Sequence, residues 1–91
     1  MSEMNNVMVG KKPVMNYVLA CLTLFQNGSE EITIKARGRS ISRAVDVAQI
    51  TMKRFVNDAS VKKINIDTEQ IKSNETGAIS NVSSIEIKLG K

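Results

Sequence analysis

The stretch that decides the fold is Ile32–Ala48, ITIKARGRSISRAVDVA, because its apolar periodicity changes partway along. Ile32, Ile34 and Ala36 alternate with Thr33, Lys35 and Arg37, which is the two-residue repeat of a half-buried strand with two bases on its outer face. Gly38 then turns the chain and Ser40 is suited to cap a helix. Ile41, Ala44, Val45, Ala48, Met52 and Phe55 recur at helical spacing and form one stripe. Val47 and Ile50 fall outside it, so this helix offers more apolar surface than one sheet requires. Asn57-Asp58 closes it.

Working outward, a short apolar run at Val7–Val9 predicts a first strand. Gly10 and Pro13 punctuate, and Pro13 suits the first position of a helix. From Val14 to Gln26 apolar residues cover well over half of a helical wheel, with Asn16, Thr23 and Gln26 on the rest. Such width again implies burial on a second side. Asn27-Gly28 is a helix stop. After the second helix come two long strands, the first over Val61–Ile71, with a turn at Asn74–Gly77. Antiparallel pairing about that turn sets Ile66 opposite Ile85 and Ile64 opposite Ile87, then Thr68 opposite Ser83 and Gln70 opposite Asn81. The apolar face therefore ends halfway up the hairpin, which predicts a base lying in the sheet and a polar arm projecting beyond it. The order is βαβαββ, a small two-layer α/β sandwich with a long projecting C-terminal hairpin, and its first two strands should be parallel neighbours.

The chain has 91 residues, which bounds it to one domain, with residues 1–6 expected to be flexible. A core this thin favours oligomerisation. No apolar run approaches a membrane span, the N-terminus lacks the order of a signal peptide, and the single cysteine, Cys21, has no disulfide partner in the chain. A soluble, cytoplasmic protein is expected.

The net charge is +4, and it is unevenly spread. Lys11–Arg43 holds six bases against two acids, whereas Ala44 to the end holds seven against six. Lys11 and Lys12 precede the first helix; Arg37 and Arg39 precede the second, and Arg43 lies in its first turn. A helix N-terminus carries about half a positive charge, so a base there is disfavoured by ~0.3–1 kcal/mol. Free N–H groups, the dipole and added bases together suit an anion, which reverses the sign of that repulsion. If the strands are parallel, both clusters lie at one edge of the sheet. Neither GKKP nor ARGRS is a nucleotide-binding fingerprint, so a repeating phosphate backbone fits better than a small phosphate metabolite. A solvated basic surface, or a protein-interaction scaffold, is the competing interpretation.

The absence of histidine, and of any clustering of Cys, Asp or Glu, speaks against a metal site and against an enzyme; no cofactor is expected. Cys21, mid-helix among apolar residues, suits a buried structural thiol. Tyr17 either lines the basic face or belongs to the core. Asn16, Lys35, Lys72 and Asn74 are further candidate contacts.

The blocks Gly10–Gly28, GKKPVMNYVLACLTLFQNG, and Ile32–Ala48 together resemble the archaeal Alba family of chromatin proteins, over about Val7–Phe55 and more weakly through the last strands. The resemblance implies a homodimer of βαβαββ subunits, similar to the C-terminal domain of a bacterial translation initiation factor. It also implies non-enzymatic binding of double-stranded DNA on the chromosome, with RNA in ribonucleoprotein particles as the alternative. By the same resemblance Lys11, Lys12, Arg37, Arg39 and Arg43 match the family's binding residues, and Phe55 matches an aromatic that joins dimer to dimer. Lys11 matches a lysine that is acetylated in some relatives and restored by a sirtuin-type deacetylase. The chain departs from the family in its arm: Thr68–Ser83 contains Glu69, Lys72 and Glu75, so the arm carries net −1 where relatives carry bases. Weaker and more sequence-dependent DNA binding is expected, with Ser73, Asn74, Ser80 and Asn81 available to hydrogen-bond a groove edge.

Overall fold

A computed structural model describes residues 5–91. It contains β1 (Asn6–Met8), α1 (Val14–Gln26), β2 (Glu31–Arg37), a 3-10 turn at Gly38–Ser40, α2 (Ile41–Ile50) running into a π turn at Thr51–Phe55, β3 (Ser60–Lys72) and β4 (Ile79–Gly90). Four strands form one sheet in the order β1-β2-β4-β3. β1 and β2 are parallel, so both helices leave the sheet at the same end. β2 and β3 each run antiparallel to β4.

The two-residue alternation places Ile32, Ile34 and Ala36 of β2 beneath the helices, where Ile87 and Leu89 of β4 join them. Val18, Cys21 and Phe25 of α1 and Ala44, Val47 and Ala48 of α2 close the core from above. α1 ends where Asn27-Gly28 predicts. Gly28 sits at φ 99°, Ser29 N–H reaches Leu24 O at 3.1 Å and Gly28 N–H reaches Phe25 O at 3.2 Å. That pair of bonds is a Schellman closure, which needs the left-handed residue that glycine supplies without strain.

Four local expectations change. The first strand lies one residue earlier than Val7–Val9, although Val9 N–H still bonds Lys35 O at 2.8 Å. Of the opening segment expected to be flexible, residues 1–4 lie outside the described residues; Asn6 is in β1, and Asn5 Oδ1 accepts from Ser29 Oγ at 3.0 Å. Pro13 flanks α1 rather than opening it, because Val14 is the first helical residue. Ser40 makes no side-chain cap; it lies in the 3-10 turn with helical backbone angles, so its hydroxyl is not presented to the next turn as an N-cap would be.

The core stripe of the second helix also shifts. Ala44, Val47, Ala48 and Thr51 are buried, while Val45 and Phe55 are exposed. A polar residue, Thr51, occupies one core position and so hid the true stripe. Beyond it Val56 N–H bonds Thr51 O at 2.8 Å, a five-residue closure. This wider turn rotates Phe55 away from the face that a continuous α-helix would give it.

The hairpin register agrees with the sequence: Ile64 faces Ile87, Ile66 faces Ile85, Thr68 faces Ser83 and Gln70 faces Asn81. β2 accompanies β4 only between Ser84 and Gly90. Beyond Ser84, five residue pairs from Thr68↔Ser83 to Lys72↔Ile79 form a two-stranded ribbon. The turn closes through Ser73 N–H to Ala78 O at 2.8 Å and Gly77 N–H to Ser73 O at 2.9 Å. The ribbon is less polar than expected, since Ile71 and Ile79 stand exposed on it.

Among the described residues no helix packs over β3. Ile64 and Ile66 share the helix-bearing face of the sheet with their partners Ile87 and Ile85, yet they are 55% and 79% exposed.

Candidate nucleic-acid interface

The first basic loop, Gly10–Pro13, is built on a tyrosine. Tyr17 lies in the first turn of α1, half-buried against the core, and its Oη accepts the N–H of Gly10 at 2.9 Å and of Lys12 at 3.0 Å. Gly10 sits close to that hydroxyl: a Cβ there would lie 3.4 Å from it. Two backbone donors are thereby turned inward while the Lys11 and Lys12 side chains stay exposed. The Tyr17 ring packs on the core and its hydroxyl shapes the basic loop.

Tyr17→Phe removes that acceptor and keeps the ring. We expect a loss of ~0.5–1.5 kcal/mol in stability, at the low end because water replaces part of the bond. The unfolding midpoint in denaturant reads this directly; an unchanged midpoint would show that the hydroxyl holds nothing.

Arg43 joins the two loops. Its Nη1 donates to Gly10 O at 2.7 Å across 33 residues of chain. The contact is part-buried, so one face of the guanidinium is committed to the loop and the rest is left for an anion. Arg39 lies exposed in the 3-10 turn. Neither helix has a side-chain cap or an acid in its first turn. The local repulsion anticipated from the sequence is thus present at both helix starts, and among the described residues no capping side chain or first-turn acid offsets it there.

Arg37 and Lys35 stand apart from this. They point to the open, helix-free side of the sheet, where Lys35 pairs with Glu86 at 3.6 Å and Arg37 with Glu69 at 3.3 Å. Lys88 and Glu31 make a third pair at 3.9 Å. Asn16 is exposed on α1, and Lys72 and Asn74 lie on the arm and its turn, away from the loops. So Lys11, Lys12 and Arg43 converge, Arg39 borders them through the turn after β2, Arg37 ends β2 with its side chain held on the open face by Glu69, and the remaining candidates are dispersed. The sequence alone did not disclose the Arg43–Gly10 tie or the Tyr17 anchor. A signal existed for the second: a tyrosine one turn into a helix that follows a glycine loop lies within reach of that loop's N–H groups.

Cys21 is fully buried, and burial pushes its thiol up to about 11, against a smaller opposing effect from the Thr51 hydroxyl. It stays protonated at any physiological pH and is a packing residue. Among the described residues no group of His, Cys, Asp or Glu could hold a metal, and no helix is long and apolar enough to cross a membrane. On the far side, exposed Phe55 lines a shallow groove with Leu22, Phe25 and Val56.

Comparison with known proteins agrees with this fold. The Alba family model matches residues 5–68. DNA/RNA-binding protein Alba 1 of Archaeoglobus fulgidus is 63% identical over 87 residues, spanning 96% of each chain. DNA/RNA-binding protein Alba of Thermoplasma volcanium is 55% identical over 91 residues, the full length of both. The solved structure of Alba from Thermoplasma volcanium superposes with a TM-score of 0.89 at 54% identity, covering 96% of this chain and all of that one.

Proposed function

Given that the chain belongs to the Alba family, we propose that it is a non-enzymatic, homodimeric protein that binds double-stranded DNA by its phosphate backbone. Lys11, Lys12, Arg37, Arg39 and Arg43 supply the grip, and the role is architectural or regulatory on the chromosome in the cytoplasm. One observation carries this reading: Arg43 ties the loop before α1 to the start of α2, so two uncapped basic helix starts act as one surface. Support for the dimer comes from the uncovered Ile64 and Ile66, which leave a helix-side apolar face without a cover in a single chain. Binding to DNA is weaker and more dependent on sequence than an all-basic arm would give, because Glu69 and Glu75 outweigh Lys72 there. The exposed Phe55 and its groove suit dimer–dimer contact on DNA. Exposed Lys11 suits acetylation reversed by a sirtuin-type deacetylase; the intact mass of native protein checks it.

RNA is the second reading, favoured by relatives whose names give both nucleic acids. Titration against matched DNA and RNA duplexes at several salt concentrations tests both. The expected result is tighter binding to DNA, with log K falling linearly as log salt rises. Tighter binding to the RNA duplex would select the second reading. Negligible binding to either at ~100 mM salt, where phosphate contacts still register, would leave only a protein-interaction role.

A further inference from the structure

The ion pair between Arg37 and Glu69 gives the acidic arm a local function that its net charge hides. Arg37 Nη1 donates to Glu69 Oε1 at 3.3 Å, joining the end of β2 to the ribbon across 32 residues. Sheet register alone does not force this partnership. Arg37 lies in the row of Ser84 and Asp67, and Glu69 stands two residues further along β3. Glu69 therefore reaches diagonally to the base. Both side chains are about half exposed, at 50% and 45%, so an incoming group can reach either. The other open-face pairs, Lys35–Glu86 and Lys88–Glu31, involve no base of the two loops.

Resting on the phosphate grip proposed above, we infer that Glu69 is an internal competitor for phosphate, whose carboxylate occupies Arg37 until nucleic acid displaces it. Carboxylate and phosphate oxygens present the same acceptor geometry to a guanidinium. Contact through Arg37 is then an exchange of one ion pair for another, whereas contact through Lys11, Lys12 or Arg39 is an addition. An isolated phosphate gains little by the exchange. A duplex already held by the other bases can complete it. Glu69 thus sets a threshold that favours ligands long enough to engage both loops. It also lowers salt sensitivity, because the freed carboxylate recaptures part of the cation that DNA releases.

Glu69→Gln removes the competitor and keeps the shape. Binding to short duplex DNA should tighten about twofold to fivefold, the range of an exposed ion pair. The slope of log K against log salt should steepen by up to about 0.9 for each Arg37 engaged. Glu75→Gln, the same charge change at an arm acid with no cationic partner among the described residues, should give a smaller gain and no change in slope. In an Arg37→Ala background the gain from Glu69→Gln should vanish. Unchanged affinity in Glu69→Gln, an equal gain in Glu75→Gln, or a gain that survives Arg37→Ala would each overturn the role of Glu69 while leaving the grip intact. Failure of the unsubstituted chain to bind duplex DNA overturns the grip and the inference together.

Discussion

Replacing Lys11, Lys12 and Arg39 together by alanine is expected to lower duplex affinity by about 10²–10³-fold per protomer engaged at ~100 mM salt. Each phosphate neutralised on B-DNA contributes about 0.9 to the slope of log K against log salt, so losing three lowers the slope by about 2.7. Those released counterions are worth nearly as many powers of ten at ~100 mM salt, measured from a 1 M reference. All three side chains are exposed, none is in an ion pair among the described residues, and none anchors a loop, so the unfolding midpoint should hardly move. Arg43 is left out of the set because its bond to Gly10 would confound binding with loop structure. A variant that folds normally and keeps the parent's salt slope would remove the loops from the binding surface.

Ile66→Glu is the second large effect, and it acts on assembly. In one chain Ile66 is 79% exposed, so glutamate there costs the subunit at most the ~1 kcal/mol span of strand preference. In a two-fold dimer closed over Ile64 and Ile66 the same change buries two unpaired carboxylates, one from each subunit. Each costs several kcal/mol, far more than the subunit itself loses. We expect a folded monomer by sedimentation, with DNA affinity reduced to that of a single set of loops. A variant that sediments as the unsubstituted protein does would exclude this face as the interface, whichever state that is.

The sequence made the architecture legible wherever one residue type repeats at one period. β2 alternates cleanly, and the isoleucines of β3 and β4 fixed the hairpin register, because a slip by one residue would turn all of them over. It was less informative where a polar residue occupies a core position. Thr51 concealed the buried stripe of α2, and the π turn that follows moved Phe55 in a way no periodicity announces. For the site, charge clustering located the two loops, since adjacency in sequence is adjacency at a helix start. The contacts that organise them were hidden: Arg43–Gly10 spans 33 residues and Arg37–Glu69 spans 32. Both depend on how strands and helices are arranged in space. The second is also diagonal, so even a correct register points first to Asp67.

The ribbon beyond Ser84 separates two quantities that most small domains must trade against each other. Every residue from Thr68 to Lys72 is exposed and belongs to no buried cluster. Surface substitutions of that kind usually change stability by no more than ~0.5 kcal/mol. If the arm tunes binding as proposed, it can therefore drift from basic to acidic, gain or lose a Glu69, and retune ligand strength with almost no consequence for folding. The body carries the inherited architecture and the ribbon carries the adjustable part, so binding in such a chain can evolve one side chain at a time.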